Sequence, residues 1–195
     1  VGYRGDVMYR NLDWLPELGF SYDMSVPNVG HLDPQPGGCC TVMPYFIGSL
    51  VELPLTTIQD YSLFNILQQR SIELWETQIE RVTAANGLLS FIIHPDYVNE
   101  EWSSGVYSSL LESLARLRDD SGIWFALPRE VNDWWRTRHA LRLAKVGSEW
   151  RIVGPGAHRA RIAFARVENG AVRYRVAASP RSDAQTRLSG TTSHN

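Results

Sequence analysis

The feature that most constrains this chain is a short apolar run, Leu88-Leu89-Ser90-Phe91-Ile92-Ile93, bounded by Gly87 and by His94-Pro95. Branched and aromatic side chains without polar alternation leave no solvent face. The run therefore predicts a strand of a parallel sheet, covered on both sides. Parallel neighbours need long crossovers, usually helical, and the flanking sequence supplies them. Ser62 to Asn86 is helical in pattern, with Leu63, Ile66 and Leu67 on one face and Ile72, Trp75, Ile79 and Val82 on another. Gly87 is a favoured stop. Val106 to Leu117 predicts a second amphipathic helix, Ile123 to Leu127 a second buried strand, and Pro128 to Ala144 a helix with Pro at its start.

The same alternation holds upstream. Val7 to Leu18 reads as a short helix limited by Pro16 and closed by Gly19, and Phe20 to Asp23 reads as a strand. Pro27 to Gly38 is rich in Pro and Gly and predicts a long loop, of the kind that often carries function. Leu50 to Ile58 reads as a strand, with Pro54 marking an edge or a bulge. Strands alternating with helices define an α/β domain with a parallel sheet or barrel. After Gly147 the pattern changes to short alternating stretches, with the hairpin signal Asn169-Gly170 between the last two. The expected organisation is an α/β domain over 1–146, a small antiparallel β appendage over 147–178 and a disordered polar tail over 179–195.

Charge and composition exclude several classes of function. The net charge is -2, with no cluster of Lys and Arg, so nucleic acid is not an expected partner. No apolar run reaches the roughly 18 residues of a membrane span. The cysteines are the adjacent Cys39 and Cys40, which predict reduced, packed thiols, because a bond between neighbours is strained. No phosphate-cradling Gly motif is present. His139 and His158 lack ligand-like spacing to other metal-binding side chains, so no metal site is expected within the chain.

Four polar residues fall where strands end, which is where parallel α/β domains concentrate function. His94 leaves the apolar run directly, and Pro95 keeps it extended. An imidazole there suits general acid–base work. Asp23 ends an earlier strand and is placed to orient an imidazole, or else to cap a turn. Asp60 stands where a strand gives way to a helix, as a rival partner or an N-cap. Arg4 has the type to grip a carboxylate bidentately, or is a surface Arg. Trp134-Trp135 with Arg136 and Arg138 is expected to anchor the last helix, and His31 to lie on the surface of the long loop.

Taken together, several stretches make the chain resemble the polysaccharide deacetylase (NodB-homology) family. They are G-Y-R-G at 2–5, F-S-Y-D-M-S at 20–25, G-G-C-C-T-V-M-P-Y-F at 37–46 and V-E-L-P-L-T-T-I-Q-D at 51–60, followed by G-L-L-S-F-I-I-H-P-D-Y at 87–97, W-F-A-L-P at 124–128 and W-W-R-T-R at 134–138. The resemblance runs from Val1 to about Val176. It implies part of a distorted (β/α) barrel and hydrolysis of amide bonds in N-acetylated sugars, with a carbohydrate as substrate. On it, Arg4 orients a base, His94 protonates the leaving amine, and Asp23, with Asp60 as rival, tunes that acid. The family uses a divalent metal, usually zinc, held by an Asp-rich motif and a His pair. No such motif occurs here, so the resemblance implies the C-terminal portion of a longer protein. As a sugar-binding module, the chain is expected to use Trp75, Trp102 and Tyr97 as stacking platforms.

Overall fold

The computed structural model describes residues 1–5, 11–27 and 41–177. The long loop after Pro27 with His31, the adjacent Cys39 and Cys40, the first four residues of the expected Val7–Leu18 helix and the polar tail lie outside the described residues. The described chain mixes helices with small sheets, and among its residues no sheet closes into a barrel. It divides into two units, Val1–Trp135 and Arg136–Asn195.

In the first unit, β1 (Gly2–Tyr3), β2 (Tyr22–Asp23), β3 (Tyr45–Ile47) and β4 (Leu50–Glu52) form one sheet in the order β1-β2-β4-β3. β1, β2 and β4 run parallel, so that Tyr3 pairs with Asp23, and Asp23 with Glu52. β3 is antiparallel to β4 across the two-residue turn Gly48-Ser49, where Gly48 takes φ 57°. α1 (Trp14–Glu17) lies between β1 and β2 and ends at Gly19 (φ 82°).

The predicted strand Leu50–Ile58 is a ladder only as far as Glu52. Beyond it the chain stays beside the extension of β2 through a single bridge, Pro27 to Leu55, because Pro54 brings no N–H to a ladder. The predicted helix Ser62–Asn86 is broken. A π-helical turn, Ser62–Ile66, is followed by Gln68 with φ 52°, and α2 begins only at Glu73 and runs to Ala84. The two apolar faces of the pattern belong to these two pieces. α3 (Glu101–Ser121) is longer at both ends than its apolar core predicts and stops at Gly122, φ 63°. Ile58, Leu63, Phe64, Trp75, Ile79, Val106 and Leu110 close one core between these elements. Val51, Leu53 and Val131 form a second beside Tyr22, Phe46 and Trp135.

Two expected strands are not strands. Leu88–Ile93 is half-buried and forms no ladder, and neither does Ile123–Leu127, where Trp124 and Phe125 are about half exposed (54% and 49%). The first is held beside the chain mainly by side-chain hydroxyls. The second has no strand partner among the described residues, and without one a strand leaves its backbone unpaired. α4 (Pro128–His139) starts with a reciprocal cap: the Leu127 N–H donates to the Glu130 carboxylate (2.7 Å) and the Glu130 N–H to the Leu127 carbonyl (2.9 Å). It ends at His139 instead of Ala144, because Arg142–Val146 is a strand.

In the second unit that strand, β5, pairs antiparallel with β6 (Glu149–Val153), and β7 (Ala163–Glu168) with β8 (Ala171–Val176). Asn169 and Gly170 both take positive φ, 52° and 77°, as the hairpin signal requires.

Candidate active site

The polar residues collect at the carboxyl end of the parallel strands, in two groups. The first is built on β1, β2 and β4. Asp23 and Glu52 are neighbours in register and both are fully buried. The Asp23 carboxylate accepts from the Ser25 N–H (3.0 Å) and the Ser25 hydroxyl (2.8 Å), and that hydroxyl accepts from the Gly5 N–H (2.7 Å). Glu52 Oε1 accepts from the Val26 N–H (2.9 Å). Arg4 Nη1 donates to the Gly5 and Met24 carbonyls (2.9 and 3.2 Å). Asp23 thus caps the turn that leaves β2 and so ties it to the end of β1. Neither Glu52 nor Ser25 was anticipated from the sequence. The available signal was a lone carboxylate inside the apolar stretch Val51-Glu52-Leu53.

The second group is His94 with Asp60. His94 is extended (φ -103°, ψ 129°), as the residue before Pro95 should be. Asp60 is fully buried at the start of the turn that leads into Ser62–Ile66. Its Oδ2 accepts the His94 backbone N–H (2.5 Å), and its Oδ1 faces His94 Nδ1 at 2.6 Å and accepts the Tyr61 N–H (2.8 Å). An ionised carboxylate only accepts, so the tautomer that fits this contact carries its proton on Nδ1 and leaves Nε2 without one in the neutral ring. The His94 side chain is 43% exposed while Asp60 is 0%. A buried anion therefore orients a ring whose other edge reaches solvent, which is the arrangement that general acid–base catalysis needs.

The sequence left Asp23 and Asp60 as rivals, with Asp23 preferred; the partner of the His94 ring is Asp60. The turn-capping expectation is met at Asp23, which accepts the Ser25 N–H, but Asp60 is not an N-cap: that position is Tyr61, with no side-chain cap, and Asp60 accepts only the adjacent Tyr61 N–H there. Aromatic rings line one side of the imidazole. Tyr97 stands edge-on to it (centroids 5.3 Å, 72°), and Tyr61 packs on Tyr97 (5.4 Å).

Of the expected sugar platforms, Trp75 is excluded: it is fully buried and its indole N–H donates to the Ile58 carbonyl (2.8 Å). Trp102 has the Arg70 guanidinium over its ring (4.9 Å) and Phe64 against it, so Tyr97 and Tyr61 are the rings beside the histidine. A cavity of roughly 420 Å³ opens elsewhere, between Leu88, Leu89, Phe91, Trp124, Phe125 and Trp134, and neither His94 nor Asp60 lines it. Trp134 packs edge-on against Trp124 (6.2 Å). Among the described residues no group of three or more His, Cys, Asp or Glu side chains is placed to hold a metal ion, and no helix is long and apolar enough to cross a membrane. No family model, curated protein or solved structure matches the chain.

Proposed function

We propose that this chain contributes the general-acid part of a hydrolase that cleaves amide bonds in N-acetylated sugars, in the manner of the polysaccharide deacetylases it resembles. The observation that carries the reading is the His94–Asp60 pair, a solvent-edged imidazole clasped by a buried carboxylate at 2.6 Å. In the proposed step, His94 as imidazolium gives its Nε2 proton to the amide nitrogen as the C–N bond breaks, so that the sugar leaves as an amine. His94 returns to the neutral form protonated on Nδ1, and Asp60 holds the ring throughout. The attacking water gives up its protons to a base and to solvent, from which His94 is reprotonated for the next cycle, and the acetyl carbon, carrying the water's oxygen beside its own, departs as acetate. In the family the resemblance points to, a divalent metal, usually zinc, activates that water. The described residues do not form a site for such an ion, and His94 and Asp60 act on the leaving group. Arg4 and Asp23 stand at the ends of β1 and β2, where Asp23 shapes the β2 turn.

The order of neighbours supports a barrel portion. β1, β2 and β4 are parallel and lie side by side in chain order, as barrel strands do, with the antiparallel β3 on the other edge of β4, and beyond β4 the chain at 56–60 meets 88–94.

Acetate release from N-acetylated chitooligosaccharides by the metal-loaded hydrolase to which this chain contributes, compared between the wild type and His94→Gln, tests the reading. Loss of the general acid is expected to slow the wild-type rate by about 10²–10⁴-fold. Wild-type turnover in His94→Gln refutes it, and turnover confined to small cyclic amides moves the substrate class to non-sugar amides. A second reading, a glycan-binding module without catalysis, draws on Tyr61 (42% exposed) and Tyr97 beside His94. Calorimetric binding of chitooligosaccharides without acetate release selects it.

A further inference from the structure

The pairing of His94 with Asp60 depends on two segments meeting in one register, 56–60 and 88–94. Strand partners normally fix register through backbone ladders, and a slip of one residue turns every side chain to the other face. Here the ladder is nearly absent. Among the described residues, the backbone–backbone bond between these segments is Asp60 N–H to the Ile92 carbonyl, and it is long (3.3 Å). The register is carried by two hydroxyls instead. Thr56 Oγ1 donates to the Leu88 carbonyl (2.6 Å) and accepts the Ser90 N–H (3.0 Å), while Thr57 Oγ1 donates to the Ser90 carbonyl (2.8 Å). Ser90 is thereby held by both its N–H and its carbonyl, four residues before His94. The next residue is clipped from the opposite side by α2: the Ile58 N–H donates to Gln78 Oε1 (3.0 Å), and its carbonyl accepts from the Trp75 indole (2.8 Å). Trp75 and Gln78 are three apart and share a helix face.

We propose that Thr56 and Thr57 are positioning residues that set the register of 88–94 and so hold His94 Nδ1 against Asp60, with Trp75 and Gln78 fixing the other side of the same stretch. The inference rests on the His94–Asp60 reading of the site but not on its being a deacetylase. It accounts for how the stretch bearing Asp60 is held without being a strand, since both backbone groups of Ile58, and the Leu88 carbonyl and both backbone groups of Ser90 opposite, meet named side chains.

The test is ¹⁵N NMR of the histidine rings, with the His94 signal assigned by its loss in His94→Gln. In the wild type the neutral ring is expected to be protonated on Nδ1. Thr57→Val removes one hydroxyl at nearly constant volume at a half-buried position, and is expected to convert His94 to a mixture of tautomers. Thr57→Ser restores the hydroxyl and is expected to restore the wild-type spectrum. Leu15→Ala, a change at a buried position on α1, controls for lost stability and is expected to leave the signal unchanged. An unchanged His94 spectrum in Thr57→Val, or the same change in Leu15→Ala, overturns the proposal. The readout needs no turnover: an intact register with no acetate release refutes the proposed function alone.

Discussion

Replacing Asp60 by Asn keeps the shape of the side chain and removes its charge, so it isolates what the carboxylate contributes. Asp60 is fully buried and accepts from the Tyr61 N–H, the His94 N–H and His94 Nδ1 (2.8, 2.5 and 2.6 Å). An amide has one acceptor oxygen, so in either orientation its NH₂ group faces at least one of these donors. A hydrogen bond to a charged acceptor is worth about 1.5–3 kcal/mol, and a buried donor left without a partner costs about 1–3 kcal/mol. These overlap, so the expected loss of stability is about 2–4 kcal/mol. With a urea slope near 2 kcal/mol per molar, that moves the unfolding midpoint down by roughly 1–2 M, read by tryptophan fluorescence. The chemical effect follows the same geometry. In either orientation the imidazolium loses its counter-charge, and in the one that turns the NH₂ group to Nδ1 the neutral ring moves its proton to Nε2. In Ser-His-Asp hydrolases the same exchange lowers turnover by about 10⁴-fold, so acetate release from Asp60→Asn should fall to a similar degree. A cycle of Asp60→Asn, His94→Gln and the double variant separates the pair from its surroundings and should give a coupling above about 1 kcal/mol. If Asp60→Asn costs under about 0.5 kcal/mol, the level of an ordinary surface change, the carboxylate does not make these bonds and the argument for the site fails.

Two further outcomes follow from the packing and the charges. Leu110 is 1% exposed in the core formed with Trp75 and Val106, so Leu110→Ala should lose about 2–5 kcal/mol in urea unfolding; a loss below 1 kcal/mol means the α2–α3 packing is wrong. Asp119 accepts a hydrogen bond from Arg118 (2.8 Å), which holds its carboxyl pKa below the ordinary value; desolvation opposes it, and the guanidinium charge adds a lesser lowering. Its contribution is present above the ordinary carboxylate range and fades as pH falls through the depressed value. Carbon-13 NMR of Asp119 should show the low titration and Arg118→Ala should return it to normal, while the melting temperature stays the same because the pair is exposed; an ordinary titration in the wild type removes the pair.

The place of His94 was legible because an apolar run followed by Pro defines where an extended segment ends. Its partner was not. Asp23 and Asp60 both follow strand-like stretches, and the choice between them depends on which segment lies beside 88–94, a non-local fact. Ser25, two residues after Asp23, was the local hint that Asp23 would be used up in its own turn. The break in Ser62–Asn86 was written in the pattern, since Leu63, Ile66 and Leu67 do not share a face with Ile72, Trp75 and Ile79. Gln68 takes the left-handed conformation that separates the two stripes, of which Leu63 is buried in the first while Ile66 and Leu67 stay exposed. The ladder-free character of 88–93 was hidden, because Thr56 and Thr57 look like ordinary β-branched strand residues until their hydroxyls are seen bonding to the neighbouring backbone.

The short strands explain why this edge of the fold holds so many buried carboxylates. β1 and β2 have two residues each and β4 has three, so their ladders end early and leave backbone N–H groups with no strand to meet. Asp23 meets Ser25, Glu52 meets Val26, and Asp60 meets Tyr61 and His94. Each carboxylate therefore replaces part of a missing ladder, and a buried acid here is not by itself a sign of catalysis. What sets Asp60 apart is the second bond to the same residue, from carboxylate to imidazole, which couples a structural cap to a ring that reaches solvent. A cap holding only backbone contributes to stability alone. A cap that also holds Nδ1 fixes which nitrogen faces outward, so at Asp60 stability and proton transfer should fail together, whereas Asp23→Asn should weaken the β2 turn and leave the His94 tautomer as it was.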